Sequence, residues 1–233
     1  MAPFDHSQTY RVRTFRNIPH RRRLKDIVEI LTRELMTRNT RELKYADFGC
    51  SNGYIANLLT QKFRFQISYG FDSDWENLQL ARERYPSIRF ELFDLNRPSL
   101  HSDKFDLISC FETLEHVGNL DNALHNLLNH LGPRGLLLIT VPIETGFRGM
   151  TKFLIKRFVY GDSLKQLPNA RTLDYVVALA RSRRMSIFRD NRDGWGTHFG
   201  FDFRDIDERL QSWRVNYKAF NRFTTRFYVV TGS

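Results

Sequence analysis

Four carboxylates, Asp47, Asp72, Asp94 and Glu112, each close a short apolar run, and the first is followed at once by the turn Gly49-Cys50-Ser51-Asn52-Gly53. An ionised carboxylate only accepts hydrogen bonds, so it suits the hydroxyl and amino donors of a nucleoside. Strand, glycine turn and amphipathic stretch in succession bring backbone N–H groups to a nucleotide-like ligand at a helix N-terminus. Glycines at 49 and 53 let the main chain approach that ligand with no Cβ in the way. The spacing is G-x-x-x-G. A dinucleotide fingerprint needs G-x-G-x-x-G, whereas here Ser51 holds the middle of the turn and Tyr54 follows it, which argues against a nicotinamide dinucleotide. Further on, Glu112-Thr-Leu-Glu115-His116-Val117 places a histidine beside the last carboxylate. His116 there could take a proton from a reacting hydroxyl or amine; equally, Glu115-His116 could open a helix and order its loop. His198, in Gly196-Thr-His-Phe-Gly200, is a second candidate base or a plain loop histidine, with Trp195 and Phe199 lining a pocket or a lid core.

These residues need a scaffold that gathers strand ends. Leu24, Ile27, Val28, Leu31 and Leu35 recur at helical spacing between Pro19 and Met36, in a helix whose start, Arg21-Arg22-Arg23, opposes the helix dipole. Strands are expected at Tyr45–Phe48, Gln66–Phe71, Ile88–Phe93, Phe105–Phe111 and Gly135–Val141, with helices at Tyr54–Phe63, Asp74–Arg84 and Asn119–Leu131 between them. Alternation of this kind predicts a parallel sheet with helices on both faces. Right-handed crossovers then bring every strand C-terminus to one edge, where open α/β sheets bind ligands. Residues 146–200 break the alternation. Helices at Met150–Tyr160 and Thr172–Arg184 among Gly, Asp, Asn and Arg read as a lid. A short helix, Arg204–Gln211, and paired strands Val215–Phe220 and Phe227–Thr231, turning near Asn221-Arg222, follow.

Taken in order, Asp47-Phe-Gly49-Cys50-Ser51-Asn52-Gly53, Phe71-Asp72, Phe93-Asp94-Leu95, Phe105-Asp106-Leu107-Ile108-Ser109-Cys110 with the Glu112–Val117 element, and Leu131-Gly132-Pro133-Arg134-Gly135 resemble the motifs of class I S-adenosylmethionine (SAM)-dependent methyltransferases. The resemblance covers residues 44–142 with a compatible tail from 202, and is nearest to the branch that includes ubiquinone-pathway O-methyltransferases. It implies an α/β, Rossmann-like fold with a mostly parallel seven-stranded sheet, helices on both faces and a helical lid insertion. It implies SAM as cofactor and methyl transfer to an O, N or C atom of a small-molecule, lipid-linked or carrier-linked acceptor, an anionic one included. By the same resemblance Asp47, Gly49, Cys50, Ser51, Gly53, Asp72, Ser73, Asp94, Leu95, Phe111 and Glu112 hold the cofactor. Asp47 would accept from the turn amides or, through water, from the cofactor's amino group. Asp72 would take both ribose hydroxyls, with Asp74 a competitor better suited to capping the next helix. Asp94 would meet the adenine amino group and the Leu95 amide the ring edge. The family usually has glycine at position 51; a serine fits if its side chain points away or bonds the ligand. A sulfonium is already a good electrophile, so alignment matters more than a general base.

Charge divides the chain. The net charge is +10, yet residues 45–145 carry 8 Lys and Arg against 13 Asp and Glu, while residues 1–44 carry 11 against 5 and residues 146–200 carry 11 against 4. Basic flanks attract anionic partners or simply keep a protein soluble. With Tyr10, Phe15, Phe158 and Tyr160 among the arginines, they also motivate the alternative of a nucleic-acid-binding or RNA-modifying protein on the same fold. The longest apolar run, Leu136–Ile143, is broken by Pro142, far short of the about 20 residues a bilayer requires. The N-terminus has no apolar h-region, and Asp5 counts against a transit peptide. Two cysteines, Cys50 and Cys110, at buried strand ends predict a reduced, cytoplasmic protein, and the absence of Cys/His clustering predicts no metal. The expected organisation is a basic arm and helix (1–43), a cofactor-binding core (44–145), a substrate-side lid (146–200), and a closing helix and strand pair (201–233).

Overall fold

The computed structural model describes residues 10, 14, 17–99, 103–146, 149, 172–189 and 200–232. Its elements are α1 (Ile18–Glu34), β1 (Lys44–Phe48), α2 (Tyr54–Phe63), β2 (Ile67–Asp72), α3 (Trp75–Arg84), β3 (Arg89–Leu92), β4 (Phe105–Phe111), α4 (Leu120–His130), β5 (Leu131–Pro142), α5 (Thr172–Ala180), α6 (Arg204–Ser212), β6 (Tyr217–Arg222) and β7 (Thr225–Thr231). The seven strands form one sheet in the order β3-β2-β1-β4-β5-β7-β6. β1 to β5 pair in parallel, and β7 enters antiparallel between β5 and β6. The parallel strands are those expected from the alternation, and the whole is the mostly parallel, Rossmann-like seven-stranded sheet that the resemblance implies.

Strand alternation sorts the core onto two faces. Leu136 and Leu138 of β5 join Tyr45, Leu107, Phe227 and Val229 under Ile27, Ile30 and Leu31 of α1 and Leu59 of α2. Leu137 and Ile139 join Ala46, Phe48, Ile108 and Tyr228 under Leu120, Ala123, Leu124 and Leu127 of α4 and Ile206 and Leu210 of α6. Residues 45–48 of β1 are all buried, as a central strand covered on both faces requires. Helix starts follow their side chains: the Asp74 carboxylate accepts from Asn77 N at 3.1 Å, and the Asn119 amide oxygen accepts from Asn122 N at 3.0 Å. Asp74 is therefore the cap of α3.

Most element ends move by a residue or two, and three differences from expectation have a clear physical cause. β5 begins at Leu131, taking Gly132-Pro133 into the strand behind a register shift opposite Phe105–Leu107. The last hairpin turns at Phe223-Thr224 instead of Asn221-Arg222; both of those residues stay in the β6–β7 ladder, and Phe223 takes φ +50°. α5 stops at Ala180, and the chain after it is tied to the start of α6: Asp202 Oδ2 accepts from Met185 N at 3.0 Å, and Arg204 donates to the carbonyls of Ser182 and Arg183 at 2.9 and 2.7 Å. The helix expected over Met150–Tyr160, and Phe15, Phe158, Trp195, His198 and Phe199, lie outside the described residues.

Candidate active site

The C-terminal ends of β1, β2 and β4 open into a cleft of about 780 Å³. Its wall includes Asp47, Gly49, Cys50, Ser51, Asp72, Ser73, Asp94, Leu95, Phe111, Glu112 and His116. All were expected from the sequence. The turn after β1 is folded back on β2: Gly49 N and Cys50 N donate to Phe71 O at 2.7 and 3.0 Å. Gly49 has φ +81°, and a Cβ there would strike the Thr113 side chain. Gly53 is not on the cleft wall. It takes φ +74° before α2, and a Cβ would lie 2.6 Å from Phe90 Cζ. Packing against β3 alone is enough to require glycine there.

Ser51 N donates to Asp72 Oδ2 at 2.7 Å, and Asp74 N to Asp72 Oδ1 at 2.9 Å. Asp72 is thereby aimed by the turn at one end and the start of α3 at the other. Burial pushes its pKa up, and the two amides pull it partly back. Asp94 Oδ1 accepts from Asn96 N and Nδ2, both at 2.9 Å. Asn96 Oδ1 in turn accepts from Gly118 N and Asn119 N, so one asparagine ties the β3 end to the start of α4.

Asp47 does not accept from the turn amides, the first of its two expected roles. The turn amides go to Phe71 and Asp72, leaving Asp47 to accept from Ser109 Oγ at 2.6 Å, within 2.8 Å of which lies Tyr45 Oη. Asp47 is 3% exposed, and burial pushes its pKa from 3.8 up to about 7.

The far wall contains a residue that the charge reading missed. Arg23, 8% exposed, donates from Nη1 to Glu112 Oε2 at 2.5 Å, and its Nη2 lies 3.0 Å from His20 Nδ1. Burial opposes its charge, but Glu112, with Tyr10 and Glu115 behind it, outweighs burial and raises its pKa. Arg23 is on the same stripe as Ile27, Ile30 and Leu31, one turn earlier. Extending that period backwards would have separated it from exposed Arg22. Tyr10 stacks on Tyr54 at 5.5 Å and forms part of the cleft wall.

Glu115 is 1% exposed, and its Oε2 has no hydrogen-bond partner. Burial and the neighbouring Glu112 push its pKa well up. The loop that carries it is held from a distant element: Arg189 Nη2 donates to the carbonyls of Leu114, Glu115 and Val117 at 3.3, 3.0 and 2.8 Å. His116 lines the cleft beside it. Among the described residues, no group of three or more His, Cys, Asp or Glu is placed to hold a metal ion, and no helix is long and apolar enough to cross a membrane.

Half-buried Asp72, oriented by two amides, and Asp94 lie on one continuous wall with the glycine turn, in a cleft roomy enough for a SAM-sized ligand. Comparison with known proteins agrees. A methyltransferase-domain family model matches residues 16–216. Ubiquinone biosynthesis O-methyltransferase of Rickettsia akari is 28% identical over 142 residues, covering 60% of this chain and 55% of the relative. Trans-aconitate 2-methyltransferase of Variovorax paradoxus is 32% identical over 99 residues, covering 42% and 38%. The chain spans about half the length of the curated relatives it matches first. Among solved structures, a Pyrococcus horikoshii protein superposes with TM-score 0.64 at 15% identity, covering 99% of this chain and all of that one. Magnesium protoporphyrin IX methyltransferase of Synechocystis, solved with bound SAH (S-adenosylhomocysteine), gives TM-score 0.59 at 14% identity, covering 100% and 90%. The chain belongs to the methyltransferase-domain family, whose cofactor is SAM.

Proposed function

We propose that this member of the methyltransferase-domain family transfers a methyl group from SAM to an O, N or C atom of a small-molecule acceptor. The observation that carries the reading is the wall on which Asp72 and Asp94 stand with the turn 49–52 at one end and the Glu112–His116 loop at the other. When bound, the cofactor supplies an electrophilic sulfonium methyl. Asp72 accepts from the ribose hydroxyls and Asp94 from the adenine amine, which fixes the nucleoside and with it the methyl direction. The acceptor's O, N or C atom would take that methyl with the leaving electron pair retained by sulfur, and His116 or water would receive the proton that the acceptor gives up.

Among the described residues the wall carries Asp47, Asp72, Asp74, Asp94, Glu112 and Glu115 against a single arginine, Arg23. An anionic part of the acceptor would therefore be disfavoured at this wall, and the surplus of positive charge that could meet it is carried by residues 1–44 and 146–200. Relatives named for ubiquinone biosynthesis and for trans-aconitate support a small-molecule acceptor as a class and do not select one. The basic flanks keep nucleic acid as a second reading.

Calorimetry with S-adenosylhomocysteine tests the cofactor site. Micromolar binding that Asp72→Ala weakens at least tenfold is the expected result; absence of binding by folded protein would end the proposal. A labelled-SAM screen against metabolite, lipid and RNA extracts then identifies the acceptor. An RNA shift that collapses between 50 and 200 mM salt, as about six or more phosphate contacts require, would move the acceptor to the second reading.

A further inference from the structure

The acidic cleft wall has a basic rim. Asn17, His20 and Arg23, at the start of α1, line the cleft, while Arg22 and Lys25 are exposed on the same turns. No acidic residue stands in the first turn of α1, and the Asn17 side chain does not cap it. Cations therefore crowd the positive end of the helix dipole, where they are unfavourable. Among the described residues Arg21, Arg22 and Lys25 make no ion pair, because the nearby carboxylates of Asp26 and Glu29 both go to Arg222, at 3.1 and 3.0 Å.

The residue after Arg222 is as unusual. Phe223 sits at the tip of the β6–β7 hairpin with φ +50°, a left-handed conformation that a bulky side chain rarely takes and that asparagine or glycine adopts with less strain. Its ring is 44% exposed, so core packing does not account for it. The Arg22 guanidinium lies over that ring, 5.1 Å from its centroid. Stacking holds a guanidinium by its face and leaves its N–H edge for a carboxylate or phosphate. The tip also stands on the ligand edge of the sheet: Pro142, at the end of β5, pairs with Thr225, and Ile143 N donates to Thr224 O at 2.9 Å. Observed strain on an exposed aromatic at this edge points to function.

We propose that Arg22, stacked on Phe223, is an acceptor-binding residue that receives a carboxylate or phosphate of a small-molecule acceptor. The proposal rests on the SAM reading above and narrows the acceptor to an anionic class. It also divides the charges by task. The acidic wall meets the donors of the cofactor's nucleoside. The rim, with Arg21 and Lys25 adding to its field, draws in the acid group of the acceptor and keeps it clear of the wall that would repel it.

A metabolite extract freed of macromolecules is split by anion exchange. Methyl transfer from labelled SAM is then measured with wild type, Arg22→Gln and Phe223→Asn, with an RNA extract alongside. Wild type should methylate a compound of the retained fraction. Arg22→Gln should raise the apparent KM for that fraction about 10-fold, the worth of one charge-assisted hydrogen bond, with kcat changed far less. The rise of KM with salt should flatten in the same variant. Phe223→Asn suits the turn and should melt at or above the wild-type temperature, yet raise KM about 2- to 5-fold through the lost stacking. S-adenosylhomocysteine should bind all three proteins equally in calorimetry. Absence of product from the retained fraction, whether the label goes to the unretained fraction, to RNA or nowhere, would overturn the proposal, as would a wild-type KM in either variant. Weakened cofactor binding in a variant, or a lower melting temperature of Phe223→Asn, would overturn it too, since the pair would then be structural. Failure of the wild type to bind S-adenosylhomocysteine would instead remove the SAM reading itself, before any variant is compared.

Discussion

Asp47→Asn should flatten the pH dependence of stability in a way that the geometry around β1 dictates. Asp47 is buried, accepts from Ser109 Oγ at 2.6 Å, and has its pKa pushed by burial from 3.8 up to about 7. A carboxyl that holds its proton more tightly when folded keeps it at pH values where the unfolded chain has released it. The native state therefore loses stability as pH climbs from about 4 to about 7, and this group adds no further loss above that. Each pH unit in that window is worth about 1.4 kcal/mol, so pH 5 to pH 7 costs the wild type about 3 kcal/mol through this side chain. Asparagine keeps an oxygen for Ser109 and has no proton to release. Urea unfolding of both proteins at pH 5, 6, 7 and 8 measures the difference directly. The advantage of the variant should grow by about 3 kcal/mol between pH 5 and pH 7 and then level off. Parallel curves for the two proteins would refute the placement of an ionisable Asp47 in a dry site.

Three further perturbations probe the rest of the wall. Arg23→Leu strands Glu112 and should cost about 3 kcal/mol in urea unfolding, most of it recovered in Arg23→Leu/Glu112→Leu; strictly additive losses would mean that the 2.5 Å contact is not an energetic pair. Gly53→Ala forces a Cβ into left-handed backbone and toward Phe90, and should destabilise by about 1–3 kcal/mol although the residue does not touch the cleft. A thermal melt that matches wild type would show that α2 and β3 can part. Arg189→Gln removes the donor to three carbonyls, so amide exchange should quicken in residues 113–118 and stay unchanged in β2. Equal protection in both proteins would mean that the loop holds its shape without the arginine.

The sheet and the cofactor wall were legible because each depends on local pattern. A five-residue strand such as β1 must be apolar to sit mid-sheet, and a ligand carboxylate must stand where that strand stops. What escaped was long-range. Arg23 was grouped with Arg21 and Arg22 because charge runs read as solvated surface, while its partner Glu112 lies 89 residues away. Asp47 looked like an acceptor for its own turn, and only the parallel pairing of β1 with β4 brings Ser109 to it. The last turn was legible only to within two residues of Asn221-Arg222, because Phe223 carries none of the usual turn chemistry yet adopts left-handed backbone.

The place of β7 in the sheet has a consequence for synthesis. Leu136 to Pro142 pair with Thr231 to Thr225, so the strand that covers this edge of β5 is made only after the whole of residues 143–224. Until then the nascent chain can assemble its cofactor wall from β1, β2 and β4 while presenting β5 as a bare, leucine-rich edge. Such an edge templates pairing with other chains. A chain that stops before Thr225 thus keeps the residues that recognise the ligand and loses the strand that keeps the protein from adding to its neighbours. Protection of the β5 edge therefore depends on β7, whereas the cleft wall does not.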